Sequence, residues 1–317
     1  MSKKGLHPEA PLVGAVNPSP KPAADGTLRG IALVCVAVFC FIVMNTMVRT
    51  LRLDGVSVAE IVWARYFFHV LLIMAFFPRR IATLLVAERK GLQVLRSILV
   101  FLATVCMFIA VGLMPIADAV AIAFVAPLFA VGLSVAILGE TVGPRRWAAV
   151  LVGFVGMLII IRPGSGVLQW AALLPVGMAF FYALYQIITR MIRDSADPLN
   201  ALFYTALVGA VAASFALPFY WRVPGPAEAA LLVGIGFMGG IGHWFIIMAY
   251  ERAEVSAVAP FGYTELIWAS VLGYLVFGEF PDLYTFVGAG VIAAAGIYVL
   301  YRERASKTPA VLPDVAE

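Results

Sequence analysis

The chain has 317 residues, of which 63% are hydrophobic and 13% are charged, and its mean hydropathy is +0.99. Soluble domains are about half apolar and about a quarter charged, so this composition excludes an ordinary soluble globular protein. The formal net charge of +4 does not indicate nucleic-acid binding, because the basic residues stand at the edges of the apolar runs. Cys35, Cys40 and Cys106 fall inside those runs, where we expect packing residues rather than disulfides or metal ligands.

Residues 1–27 carry prolines, lysines and glycine without an apolar core, and they are predicted to be a disordered cytosolic tail. Ten apolar runs follow, each near the roughly 20 residues that a helix needs to cross a bilayer core. Backbone groups in lipid must pair internally, so the runs are predicted as helices. The predicted spans are 28–48, 58–77, 93–113, 116–138, 146–161, 168–189, 199–219, 229–250, 255–277 and 283–301. Residues 302–317 are expected to be a second cytosolic tail.

The lysines and arginines, apart from Arg65 within the second span, are divided unequally between the two faces of the membrane. Seventeen fall on the side that holds both termini and four fall on the other side. Basic residues collect on the cytosolic side of a membrane protein, so both termini are predicted to be cytosolic. The same count places residues 139–146 inside and residues 278–282 outside.

The stretches 115–161 and 254–301 follow one plan. In both, a Gly-Glu pair ends an apolar run, a proline stands close by, and an aromatic residue opens a Gly/Ala-rich run. Aligning Gly139-Glu140 with Gly278-Glu279 gives an offset of 139 residues. With five spans in each half, an odd number, the second copy must be inverted. We therefore predict an all-α integral membrane protein of ten helices in two inverted five-helix repeats, 28–161 and 162–301.

This repeat resembles the ten-helix EamA family of the drug/metabolite transporter superfamily. The residues that carry the resemblance are Pro127, Gly139-Glu140 and the run 147–161 in the first half, and Ala257, Gly278-Glu279 and the run 286–300 in the second half. The segments 63–68 and 144–166 are similar to a bacterial subgroup that includes riboflavin importers and S-adenosylmethionine carriers. The resemblance implies a transporter, but one scaffold in this family serves amino acids, nucleobases, vitamins and other metabolites.

Ionisable residues inside a span are costly unless they are paired or hydrated, so each requires an explanation. Glu265, about ten residues from either end of its span, is a candidate carboxylate for a coupled proton or a cationic substrate group; the alternative is a structural acid. His243 is either a packing residue or a partner of Glu265 in proton movement. Arg65 shares a helix face with His69, and it either binds an anionic group or clamps neighbouring helices.

Other polar and aromatic side chains are candidates for the wall of a central site. Tyr182 and Gln186 are four residues apart and share a helix face. An aromatic pocket would suit a flat ring, although packing is the alternative role for each ring. The candidate wall residues are Asn45, Phe124, Tyr182, Gln186, Tyr263 and Trp268.

Several small and hinge residues are predicted to serve helix packing and movement. Gly236 and Gly240 form a GxxxG pair, and the small residues 289–290 and 293–294 continue this pattern in the last span. Pro127 and Pro260 each remove a helical hydrogen bond within a span. Glu140 and Glu279 are interpreted as hinge hydrogen-bonding residues rather than substrate ligands. Glu60 and Asp118 lie at outer helix ends, where we expect water to solvate them.

The predicted function is a secondary carrier of the bacterial inner membrane, which moves a small organic metabolite by alternating access. No ATP-binding, zinc or hydrolase motif is present, so no cofactor, metal or catalytic residue is assigned. A gradient must supply the energy, and a coupled proton is one candidate. Within this class the sequence favours uptake of a vitamin-like substrate such as riboflavin, with export of amino acids or related metabolites as the alternative. An integral-membrane enzyme would need a cluster of acids and histidines near one membrane face. No oligomeric state is predicted.

Overall fold

The computed structural model describes residues 24–84, 86, 88–162, 170–192 and 197–307. This part of the chain is helical and contains no strand. The two predicted tails lie largely outside the described residues, although the first helix already begins at Ala24 and the last continues to Lys307. The short helical segments Pro78–Arg80 and Ile81–Leu84 connect the second and third long helices.

The long helices follow one another with short connections. They are α1 (Ala24–Leu53), α2 (Val58–Phe76), α3 (Lys90–Leu113), α4 (Ile116–Ala123 and Ala126–Leu138), α5 (Pro144–Ile161), α6 (Leu173–Met191), α7 (Pro198–Tyr220), α8 (Pro226–Arg252), α9 (residues 255–277) and α10 (Leu283–Lys307). Among the described residues, nine helices are long and apolar enough to cross a membrane. The remaining segment, α9, is interrupted by the 3-10 turn Ala259–Thr264 before its final helix, Glu265–Phe277.

Helix ends follow local sequence signals. Ser57 caps α2, since its hydroxyl accepts from the Glu60 N–H at 3.1 Å while the Glu60 carboxylate accepts from the Ser57 N–H. Asp197 caps α7 through the Leu199 N–H. Partial burial alone would raise the pKa of Asp197, but this hydrogen bond and the Arg80 guanidinium outweigh it and lower the pKa overall. Gly139 and Gly278 end α4 and α9 in the left-handed conformation, which glycine adopts without steric cost.

The main contacts between helices are preserved when each helix is replaced by its equivalent in the other half of the chain. The pair α1–α8 has its counterpart in α3–α6, α2–α8 in α3–α7, and α1–α9 in α4–α6. The pairs α2–α7, α4–α9 and α5–α10 join equivalent helices to each other. Each of these pairs is therefore mapped onto another of them, or onto itself, when every helix is replaced by the one five positions away. Because five spans reverse the direction of the chain, this exchange defines the two inverted repeats.

Close helix approaches occur at glycines. A Cβ atom on Gly236 would lie 2.4 Å from the Phe68 Cβ, and one on Gly240 would lie 2.6 Å from a Leu72 methyl carbon, so α8 packs directly on α2. In α10 the close residue is Gly288, whose added Cβ would lie 2.5 Å from the Gly156 carbonyl oxygen of α5. Of the predicted small-residue stripe in α10, Ala289 is buried and Ala293 is half-buried, but Gly290 faces open space and Ala294 is exposed.

Candidate functional site

Glu265 begins the final segment of α9, directly after the 3-10 turn that interrupts this span. Its side chain is half-buried. No hydrogen bond or ion pair joins its carboxylate to another residue in the described ranges. A carboxylate at mid-span without a protein counter-charge requires a proton, water or a bound cation to offset its desolvation.

The Tyr182 phenol of α6 lies within electrostatic range of this carboxylate. Gln186 stands one helical turn further along α6, on the same face as Tyr182. The Tyr182 ring also stacks on Tyr185, with ring centroids 5.5 Å apart and an interplanar angle of 24°. Residues three apart are neighbours on a helix surface, which is why the two rings meet. The half-buried rings thus combine a flat apolar surface with hydrogen-bonding groups.

Two aromatic residues meet where α4 and α9 are interrupted. Phe124 lies at the break in α4 and Tyr263 lies in the 3-10 turn of α9, and their ring centroids are 4.8 Å apart in an edge-to-face arrangement. These residues are 139 apart in the sequence, so they are equivalent positions of the two repeats. Trp268, one turn beyond Glu265, packs edge-on against Phe39 of α1 with centroids 4.9 Å apart.

Arg65 occupies a separate buried polar cluster between α2, α3 and α8. It is only 6% exposed, and it donates to the Thr104 hydroxyl at 2.9 Å and lies 3.4 Å from the His243 Nε2 atom. The guanidinium also lies over the Tyr66 ring, 4.7 Å from its centroid. The geometry therefore matches the helix-clamping alternative for Arg65, which joins three helices.

His243 belongs to this cluster. Its ring lies against Phe41 and parallel to His69, with centroids 5.0 and 6.0 Å away. Among the described residues, its hydrogen-bonding neighbour is Arg65 and no hydrogen bond joins it to Glu265. The structure therefore brings His243 together with Arg65 and not with the acid that the sequence suggested as its partner. Asn45 is 4% exposed and its Oδ1 atom has no hydrogen-bond partner in the described part of the chain.

The match to a family model decides the class of protein. The model of the EamA-like transporter family matches residues 28–162 and again residues 169–302. The chain belongs to the EamA-like transporter family. Two consecutive matches in one chain agree with the two-fold exchange of helix contacts, and the predicted carrier class is confirmed.

Relatives of this EamA-like transporter carry different substrate names. An S-adenosylmethionine uptake transporter from Rickettsia prowazekii is 30% identical over 247 residues, covering 78% of this chain and 84% of that protein. A riboflavin transporter from Vibrio cholerae is 35% identical over 187 residues, covering 58% and 62% respectively. A pseudopaline exporter from Pseudomonas aeruginosa is 30% identical over 276 residues, covering 84% and 94%.

A solved structure supports the fold of this EamA-like transporter. A chain of known crystal structure superposes with a TM-score of 0.61, covering 90% of this chain and 99% of that one at 16% sequence identity. At that identity the likeness shows the fold alone. Among the described residues, no group of three or more histidines, cysteines or acids is arranged to hold a metal ion.

Two acids in this EamA-like transporter differ from the sequence expectation. Glu60 was expected to be solvated, but it is 1% exposed and accepts from the Arg222 backbone N–H at 2.7 Å, which ties α2 to the α7–α8 connection. The Ser57-x-x-Glu60 spacing is a capping-box signal, and it could have indicated that this carboxylate is held by hydrogen bonds at the start of α2. Asp118, also expected in water, is partly buried and accepts from the Thr285 hydroxyl at 2.7 Å.

Proposed function

We propose that this chain is a secondary carrier of the bacterial inner membrane that takes up a metabolite combining a flat ring with a positively charged group. Both termini are cytosolic in this proposal, as the distribution of basic residues indicates. The observation that carries the substrate class is the Glu265 carboxylate, which is half-buried, lies within electrostatic range of the Tyr182 phenol and has no cation paired with it among the described residues.

A lone acid in this position serves transport in one of two ways. It binds a cationic group of the substrate, or it carries a proton that moves with or against the substrate. Both uses need the carboxylate to be reachable from water during the cycle, and we place that access at the part of the Glu265 side chain that its neighbours leave uncovered. A permanent ion pair with Arg65 would satisfy neither use, and Arg65 is instead held by Thr104 and His243.

The rings near the acid favour a planar substrate. The Tyr182–Tyr185 stack and the Phe124–Tyr263 pair offer flat surfaces, and stacking on such rings is tolerant of the identity of the ring that binds. S-adenosylmethionine has both a flat adenine ring and positive charge, and relatives named for its uptake match over most of their length. Riboflavin, which the sequence favoured, is the second candidate, because its ring system is flat and two relatives carry its name.

The test is initial uptake into proteoliposomes that contain the purified carrier. Labelled S-adenosylmethionine, riboflavin and a panel of amino acids are compared at equal concentration, with empty liposomes as the blank. We expect S-adenosylmethionine to accumulate faster than the others and excess unlabelled S-adenosylmethionine to compete with it. Flux of amino acids alone would support the exporter alternative, and flux of riboflavin alone would show that ring shape rather than charge selects the substrate.

A further inference from the structure

Two ion pairs occupy equivalent positions in the two repeats. Glu279, after α9, pairs with Arg49 of α1, and Glu140, after α4, pairs with Arg190 of α6 with 2.6 Å between Nη2 and Oε1. The glutamates stand 139 residues apart and the arginines 141 apart, so the pairs are counterparts under the exchange of halves. Each pair also joins one repeat to the other. We name them the Arg49 latch and the Arg190 latch.

The two Gly-Glu hinges hold their glutamates in the same local geometry. Gly139 and Gly278 have φ angles of 67° and 70°. The Glu140 N–H donates to the Ser134 carbonyl at 3.3 Å, and the Glu279 N–H donates to the Gly273 carbonyl at 3.1 Å. These backbone hydrogen bonds hold each hinge, which leaves the carboxylates to the arginines.

The latches lie at opposite faces of the membrane. The helices α4 and α9 are five spans apart, so they run in opposite directions and end at opposite faces. Glu140 and Glu279 follow those ends directly. A movement that separates the repeats at one face strains the latch on that face and leaves the other intact.

The two latches differ in burial and in hydrogen bonding in the described conformation. The Arg49 side chain is 8% exposed and also donates to the carbonyl groups of Val111, at 2.7 Å, and Met114 at the end of α3. It lies over the Phe277 ring as well, 5.2 Å from the centroid. The Arg190 side chain is 51% exposed. Exposed ion pairs are screened by water and salt and contribute little, so the face of the Arg49 latch is the more firmly closed.

We propose that the two latches exchange these roles during transport, which extends the alternating-access carrier of the proposed function. The described conformation is closed at the Arg49 latch. When this latch opens, the inverted repeats exchange shapes, and the Arg190 latch becomes the buried one. The acceptors for Arg190 are then the carbonyls equivalent to Val111 and Met114, which are those of Tyr250 and Ala253 at the end of α8.

The backbone at the end of α8 is already suited to this role. Met114 and Ala253 end their helices in the same extended conformation, with φ of −142° and −145°. Their N–H groups donate to Ala110 and Ala249 at 2.9 and 3.0 Å. In the described part of the chain, Arg190 donates to Glu140 and makes no hydrogen bond to Tyr250 or Ala253. Equivalent carbonyl acceptors therefore exist at both faces, but in the described conformation only those at the end of α3 are used, by Arg49.

Thiol-labelling rates at two matched positions test this exchange. Met114→Cys and Ala253→Cys place buried reporters beside the two latches, in a chain whose three native cysteines are alanine. Each reporter is combined with Glu279→Gln or Glu140→Gln and labelled with a water-soluble maleimide in nanodiscs. We expect Glu279→Gln to raise the rate at Met114→Cys by at least about threefold and to lower it at Ala253→Cys. Glu140→Gln should leave the rate at Met114→Cys unchanged or lower.

Two outcomes would overturn the proposal: a rate at Met114→Cys that Glu279→Gln leaves unchanged, or an equal increase from both variants. The labelling requires no substrate, so its result is independent of whether S-adenosylmethionine or riboflavin is carried. A second measurement replaces the Arg49 latch by a covalent bond, which holds this face together without the ion pair. Crosslinking Arg49→Cys to Glu279→Cys with a short bismaleimide should abolish transport, whereas the same double variant before crosslinking and the two single variants treated alike should transport measurably faster. Undiminished transport by the crosslinked protein would likewise refute the exchange.

Discussion

At the scale of single residues, the ionisable side chains within the described spans fall into two groups, those with hydrogen-bonding partners and those without. Arg65, Arg49 and Glu60 are buried but supplied with hydrogen-bonding partners, as buried charges in structural roles are. Glu265 is half-buried and has no hydrogen bond or ion pair among the described residues. On this difference, and not on depth in the membrane alone, we propose Glu265 for substrate or proton binding.

Glu265→Gln should therefore lower the initial transport rate by at least about tenfold, because the amide keeps the size of the side chain and loses its charge and proton. Glu265→Asp should retain part of the activity. The measurement is uptake into proteoliposomes. The control is Glu251→Gln, a neutralisation at the exposed end of α8, where the glutamate side chain is 63% exposed. Full transport by the Glu265→Gln protein would remove this residue from the mechanism.

Thr104→Val tests the buried cluster around Arg65. The hydroxyl accepts from Arg65 and lies 2.9 Å from the Tyr66 hydroxyl, so its removal leaves two buried polar groups without this partner. We expect a loss of about 1–3 kcal/mol in stability, seen as a lower melting temperature in detergent. The control Thr46→Val removes a hydroxyl that donates to Ile42 within its own helix, and its effect should be clearly smaller. Equal melting temperatures for the two variants would contradict a clamping role for this cluster.

At the scale of helices, interruptions and close contacts decide where the site forms. The turn at Phe124–Val125 and the 3-10 turn Ala259–Thr264 divide α4 and α9, and both turns carry proline at or next to them. An interrupted span presents backbone and side chains that a continuous helix would keep apart. By contrast, α5 and α10 are continuous and pack at glycines, which is typical of helices with a supporting role.

Gly288→Ala should destabilise the α5–α10 pair. The new Cβ would lie 2.5 Å from both the Gly156 carbonyl oxygen and an Ile160 side-chain carbon, so the backbones must separate. We expect a cost of about 1–3 kcal/mol and a melting temperature lower by several degrees. Gly290→Ala, two residues away in the same helix, meets no atom within 4 Å and should be neutral or slightly stabilising. A neutral Gly288→Ala would mean that the two helices do not pack this closely.

At the scale of the whole molecule, the two repeats account for both the fold and the placement of the latches. An odd number of spans in each half inverts one half, and the main contacts between helices are preserved when the two halves are exchanged. Such a molecule can have two conformations of nearly equal energy, since each half can adopt the shape of the other. This property suits a carrier that opens to either side.

Reporter fusions test the orientation that the basic residues predict. Fusions of alkaline phosphatase after residue 143 and after residue 317 should be inactive, because both sites are expected in the cytosol. A fusion after residue 280 should be active, because the second Gly-Glu hinge is expected outside. Activity in cells, normalised to protein level, is the measurement. Equal activity at the two hinges would refute the inverted arrangement.

The sequence alone determined the class, the number of helical segments and the inverted repeat. Lipid requires apolar spans, and both these spans and the offset between the Gly-Glu hinges can be read directly from the order of the residues. Tertiary structure decided which polar residues meet. His243 lies with Arg65 rather than Glu265, Glu60 is buried, and the α5–α10 contact falls on Gly288 rather than Gly290. These outcomes depend on the rotation of each helix about its axis. An almost uniformly apolar helix gives little periodic signal for that rotation, and only packing against the neighbouring helices sets it.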